Sequence, residues 1–282
     1  VNTYHFIHKR ASWIAVWLST AIFSPDFAGN VPENILDAAP APAAEDLLAR
    51  VRTFIPKETL QIKGKIMQGK RIGRLQQAFL FAALLELGQT PPTAHYTLSD
   101  AFGTPLARLT IIRPTDRAPE FRYEQGQPLR PAPTPDLNQP VQNTAITWND
   151  LSMSFLWWPN GRIMGRDNIR GRDCNVIEVP IPPATLIPAA GTKAPSPRPA
   201  DAGAFIRLWI DDQLMVFIQM EEYNTAGKLL RRISVKNFKK IADQWMIKNM
   251  NIRRYPSHHR TQVRIEDIIS GASSNASDMD LR

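Results

Sequence analysis

The sequence has one cysteine, Cys174, in 282 residues. An intramolecular disulfide is therefore excluded, and the fold must be held by its core. No run of about 20 apolar residues is present, the length a helix needs to cross a bilayer. The longest apolar stretch, Ala11 to Phe23, has 13 residues. The motifs G-x-S-x-G and H-E-x-x-H are absent, and no repeat recurs at a solenoid period. Acidic residues are the minority: 26 Asp and Glu stand against 34 Lys and Arg, for a net charge of +8. That balance favours acidic partners such as anionic membrane surfaces. Nucleic acid is not expected, because no aromatic stacking motif accompanies the charge.

What is there begins with an export signal over residues 1–28. His8-Lys9-Arg10 supplies the positive segment, the 13-residue apolar run follows, and Ala28-Gly29 offers small residues for cleavage. No cysteine lies nearby, so lipid attachment at such a site is excluded. With a single cysteine in the chain, this places the protein in the periplasm of a two-membrane bacterium. Residues 29–44 form an Ala/Pro-rich linker, and 271–282 a polar tail.

Between them the apolar spacing alternates between helical and extended. Leu47, Leu48, Val51, Phe54 and Ile55 recur as on a short amphipathic helix, which Pro56 stops. Leu60, Ile62 and Ile66 read as a strand. Residues 74–87 suit either state. A hairpin is expected over 96–113, turning at Ala101-Phe102-Gly103, and a short strand at 121–123. Residues 128–143 hold five prolines and read as an exposed loop. Thr147-Trp148-Asn149-Asp150 is a capping box that opens an unusually apolar helix over 148–158. Strands are expected at 163–169 and 174–179, then a second Pro/Ala-rich loop at 180–203. From Ala204 to Ile269 the pattern spells a five-stranded antiparallel meander, whose last strand puts Thr261, Val263 and Ile265 on one face. The fold class is α+β: a strongly curved antiparallel sheet, an unclosed β-barrel, plugged by the apolar helix.

The stretch Gly64-Lys65-Ile66-Met67-Gln68-Gly69-Lys70-Arg71 lies one residue type from a phosphate-binding loop. Arg71 stands where the loop needs a Ser or Thr hydroxyl for magnesium, and the flanking strands read as antiparallel. A basic turn between strands is expected instead. His258-His259 beside Asp267 lacks a third metal ligand at a recognisable spacing. Asp211-Asp212 and Glu221-Glu222 fall at a turn and a strand end, where solvated acids are usual. Cys174 sits in a strand pattern with no base assigned to it, as a small buried residue does. No catalytic residue, metal ligand or cofactor is assigned, and the chain reads as non-enzymatic.

Between 204 and 270 there are 12 Lys and Arg against 7 Asp and Glu, a net of +5. The neighbouring pairs Arg231-Arg232, Lys239-Lys240 and Arg253-Arg254 each split across the two faces of a strand, so some of these bases must point inward. Trp157-Trp158 and Met215, Met220, Met246 and Met250 cluster in the helix and meander. Methionine suits surfaces that accept varied apolar ligands.

The segments DLLARVRTF, QIKGKIM, TWNDLSMSFLWW, GRDCNVIEV, EEYNTAGKLLRR, QWMIKNMNI and TQVRIEDI occur in the order seen in outer-membrane lipoprotein-sorting proteins. Over residues 45–270 the chain resembles this LolA/LolB-like superfamily of periplasmic carriers. The resemblance implies a strand at 74–87 and an apolar cavity between the sheet and its helices. It implies a cargo of lipoprotein or acyl lipid, received from an inner-membrane transporter and handed to an outer-membrane acceptor, without covalent chemistry. The superfamily also includes envelope-stress sensors, so a protein-interaction module of the same fold is the alternative. The superfamily's cavity-closing basic residue matches no particular position here. Candidate cavity residues are Leu151, Phe155 and Trp158 on the apolar helix. On the meander they are Val216, Ile218, Met220, Ile233, Val235, Met246, Met250 and Ile252.

Overall fold

The computed structural model describes residues 43–69, 77–183, 202–241, 244–257 and 259–271. The expected export signal, nearly all of the linker, most of the 180–203 loop and the polar tail beyond 271 lie outside them.

A single sheet of 13 antiparallel strands dominates the described residues. Its first six strands are β1 (Leu60–Gly69), β2 (Gln77–Glu86), β3 (Thr93–Ser99), β4 (Pro105–Ile112), β5 (Glu120–Gln125) and β6 (Arg130–Ala132). The other seven are β7 (Arg162–Ile169), β8 (Arg172–Pro180), β9 (Gly203–Asp211), β10 (Phe217–Asn224), β11 (Leu229–Ile241), β12 (Gln244–Arg254) and β13 (Arg260–Ser270). The order across the sheet is β6-β5-β4-β3-β2-β1-β13-β12-β11-β10-β9-β8-β7. Every neighbour is consecutive in the chain except β1 and β13. The sheet is thus two meanders joined at their far ends, and it stays open between β6 and β7. Closure would need those two strands to pair. Instead the chain between them crosses the inner face, carrying α2 (Trp148–Leu151) and a 3₁₀ turn (Ser154–Trp157). The helix α1 (Ala44–Thr53) precedes β1.

Alternation places the core. Leu60, Ile62 and Ile66 of β1, Phe81 and Leu85 of β2, and Ala94, Tyr96 and Leu98 of β3 face one side and are buried there. Val263, Ile265 and Ile268 of β13 join them, out of simple alternation. A register shift between Lys63 and Gly64 takes up Glu266, so that both Ile265 and Ile268 turn inward. Gly64 is required at this bulge. A Cβ there would lie 2.5 Å from the Arg264 carbonyl oxygen and 3.0 Å from a Phe81 ring carbon. This accounts for the first glycine of the loop-like stretch 64–71: it lies in β1, not before a helix. Lys70 and Arg71 are outside the described residues, and Gln77–Glu86 beyond them is a strand.

Leu47, Leu48 and Val51 of α1 are buried against the sheet. Each contributes roughly 1.5–3 kcal/mol of apolar burial. The expected helix over 148–158 is broken. Its capping box forms, with Thr147 Oγ1 accepting from the Asp150 amide at 3.1 Å and Asp150 Oδ2 accepting from the Thr147 amide at 2.8 Å. The helix then ends at Leu151, and Met153 takes φ 49°. Ser152 Oγ donates back to the Trp148 carbonyl at 2.8 Å and shares a 2.7 Å bond with Ser154 Oγ, offering the backbone an alternative to helix. A segment apolar on all sides cannot bury every side against one sheet face as a straight helix. The break lets Trp148, Leu151, Phe155 and Leu156 all turn inward.

The Pro-rich segment 128–143 is also not the fully exposed loop expected. It contains β6, and Leu137 and Val141 are buried beneath α2. The Leu137 carbonyl accepts from the Asn149 amide at 3.2 Å, which ties the segment to the helix.

Candidate functional site

An apolar cavity of about 120 Å³ lies between the inner face and the α1/α2 layer. Ile62, Phe81 and Tyr96 form its floor, Val51 and Leu156 its roof, and Met246, Ile247 and Met250 one wall. Phe54 and Trp245 also line it and are 43% and 40% exposed, so its mouth carries bulky apolar groups into solvent.

Of the residues singled out in the sequence, Leu151, Val216, Met246 and Met250 come together on this cavity. Phe155, Met220, Ile233, Val235 and Ile252 share the same core but fill it rather than line the void. Phe155 sits edge-on to Phe217, with ring centroids 5.3 Å apart. Trp158 packs edge-on to Phe155 at 6.4 Å and lines a separate groove with Trp157 and Phe121. Ile218 lies on the opposite face, packed with Cys174, Val176 and Trp209. Strict alternation would have put it with Met220. A register shift between Phe217 and Gln219 changes the phase, so Phe217 and Met220 are the inward pair.

Sequence reasoning missed the contribution of β1 to β3 and of α1. The available signal was the apolar run of β2, whose inward set Phe79, Phe81, Ala83 and Leu85 alternates at period two. It also missed three arginines that hold the covering layer. Arg52 Nη1 donates to the Leu156 carbonyl at 2.6 Å, tying α1 to the 3₁₀ turn. Arg113, just past β4, lines the cavity, donates to Ser154 Oγ at 3.1 Å and lies 4.2 Å over the Trp157 ring. Burial pulls its pKa down to about 10, so it remains charged at neutral pH. The buried phenol of Tyr96, beside it, is pushed up to about 12. Arg231 of β11 ion-pairs with Asp150 of α2 and, at 2.8 Å, with Glu222 of β10. It is the inward member of its basic pair. Burial opposes its charge, and the two carboxylates more than offset that.

The acidic pairs are not the solvated acids expected. Asp211 is buried, receives Arg172 Nη1 at 2.9 Å and accepts from the Gln213 and Leu214 amides. Glu221 is buried between Arg232 and Tyr223. Both serve as internal partners for arginine. Cys174 is buried as expected; burial first, then Asp211, pushes its thiol up to about 11. Its thiolate, the nucleophilic form, is scarce at neutral pH. Among the described residues no group of three or more His, Cys, Asp or Glu could hold a metal, and no helix is long and apolar enough to cross a membrane.

Residues 126–277 match the model of a family described as "Uncharacterized protein", more than half of the chain. The chain belongs to that family. No curated protein matches it in sequence. Among solved structures, it is similar to a putative outer membrane lipoprotein-sorting protein domain from Vibrio parahaemolyticus. That match has a TM-score of 0.65 at 12% identity, covering 84% of this chain and 95% of the other. A DUF1329 family protein from Desulfovibrio piger superposes with a TM-score of 0.61 at 12% identity, over 81% of this chain and 93% of that one. A LolA superfamily protein from Nitrosomonas europaea gives 0.58 at 12% identity, over 86% and 99%. At such identities the likeness is one of fold. This family member has the unclosed, curved-sheet fold of the LolA superfamily, as the order of its sequence segments implied.

Proposed function

We propose that the protein is a periplasmic carrier that shields the acyl chains of a lipoprotein or related lipid in the cavity beneath α1 and α2. The observation that carries this is the apolar cavity with Phe54 and Trp245 exposed at its mouth, on a fold shared with a lipoprotein-sorting domain. Each buried CH₂ is worth about 0.8 kcal/mol, so an acyl chain does not cross water unescorted. The cavity as it stands is small. An engineered apolar cavity of about 150 Å³ takes one benzene. The about 120 Å³ here therefore admits the end of a chain, and the remainder requires the covering layer to lift. The contacts that hold this layer are Arg113 to Ser154 and Trp157, Arg52 to Leu156, and Arg231 to Asp150. Hand-over partners at the inner and outer membranes belong to this reading.

The small cavity also favours a second reading, an interaction or envelope-stress sensor module whose core is filled by its own side chains. Native mass spectrometry of the protein purified from the periplasm without detergent separates the two. A co-purified acyl mass near one per chain, lost in Met246→Glu while the melting temperature is kept, supports the carrier. A clean apo mass that takes up no added acylated peptide overturns it and leaves the sensor reading.

A further inference from the structure

The outer face of the sheet carries a feature that the cavity does not use. Arg232 of β11 stands opposite Arg253 of β12, and Arg253 stands opposite Arg260 of β13. Three arginines thus form one row across three strands. Like charges directly opposite each other destabilise a sheet. Only Arg232 is compensated, its Nε donating to Glu221 Oε1 at 2.5 Å. Among the described residues no carboxylate lies within ion-pair distance of Arg253, Arg260 or Lys236.

The next residues along complete a recess. Ser234 stands opposite Asn251. Lys236 follows on the same side, and all of these side chains surround a space of about 200 Å³. Arg170 of the β7–β8 turn donates to the carbonyl of Val235, the neighbour of Lys236, at 3.2 Å. The Lys236 ammonium has its pKa lowered by burial and then by Arg170, Arg260 and Arg253. Arg253, Arg260 and Lys236 thus share this space without a carboxylate partner among the described residues. The space exceeds by several-fold the roughly 30 Å³ share of one water.

We propose that this recess binds a phosphoryl oxyanion. Arg253 and Arg260 are its forked donors, with Lys236 and Ser234 completing the shell. Guanidinium forks match phosphate oxygens in pairs, and the charge of a phosphate relieves the repulsion along the row. The same chemistry is offered by free phosphate and by a phospholipid headgroup. The site is on the face opposite the acyl cavity and does not depend on it.

The test is calorimetric titration of the full chain with inorganic phosphate at constant ionic strength. Sedimentation with phosphatidylcholine vesicles, with and without phosphatidylglycerol, accompanies it. Saturation at one phosphate per chain is expected, weakened about tenfold by Arg253→Gln or Arg260→Gln and abolished in the double variant. Phosphatidylglycerol-dependent sedimentation that phosphate competes away assigns the headgroup as the source. Phosphate saturation without sedimentation assigns the free ion. Thermal melting controls for folding. The variants should melt at or above the wild-type temperature in chloride, because repulsion is relieved, and only the wild type should be raised by phosphate. Absence of both phosphate saturation and variant-sensitive sedimentation overturns the proposal. So does phosphate stabilisation of the double variant equal to that of the wild type. Met246→Glu should leave the phosphate saturation unchanged, which separates this site from the carrier reading.

Discussion

Arg231 reaches from β11 to Asp150 on α2, so one buried ion pair fixes the covering layer to the sheet. Asp150 is doubly employed, because the same Oδ2 closes the capping box on the Thr147 amide. Replacing Arg231 with Leu strands the buried carboxylate of Asp150 and removes a partner from the half-buried Glu222. Breaking such a pair costs about 3–5 kcal/mol. Urea unfolding of Arg231→Leu should show a loss of that size, and Asp150→Asn in the same background should recover part of it.

Phe155 is a core residue and not a cavity wall. Its ring is buried against Phe217 and Trp158. Phe155→Ala should cost about 3–5 kcal/mol in urea unfolding, as large-to-small changes in a packed core do. A change below about 1 kcal/mol would mean that the site collapses freely or was never tightly packed.

Gly64→Ala tests the bulge between β1 and β13. The new methyl meets the Arg264 carbonyl oxygen at 2.5 Å, which is backbone and cannot swing aside. Overpacking of this kind costs about 1–3 kcal/mol. The measurement is again the denaturant midpoint; an unchanged midpoint would contradict the described register.

His95 supplies a pH dependence. Burial is the first cause that lowers its pKa below the ordinary 6.5, and Arg108 and Arg122 add to it against Glu86. The proton therefore binds the unfolded chain more tightly than the folded one. The stabilising difference is present above about pH 6.5 and is lost as pH falls through the lower folded value. Thermal melts between about pH 7.5 and 5 should show this decline, and His95→Gln, which keeps a polar partner for Thr110, should flatten it. A decline of the same steepness in the variant would assign the dependence to other groups.

By itself the sequence determined the elements whose signals are local. The five-stranded meander, the β3–β4 hairpin, α1 and the Thr147 capping box depend on spacing, turn residues and side-chain caps within a few positions of one another. The order of the segments also carried the fold, because every pairing but that of β1 with β13 joins strands consecutive in the chain. The tertiary structure decided what depends on contacts between distant residues. The apolar segment at 148–158 had to break to bury all its sides. The bulges in β10 and at Gly64 reversed the facing of Ile218 and brought Ile268 inward, and a bulge leaves no period to read. The partners of the buried charges, Arg231 with Asp150 and Asp211 with Arg172, lie 81 and 39 residues apart, and only the folded sheet brings them together. For the same reason, composition showed an excess of positive charge on the meander. The pairing register alone placed Arg232, Arg253 and Arg260 in one row.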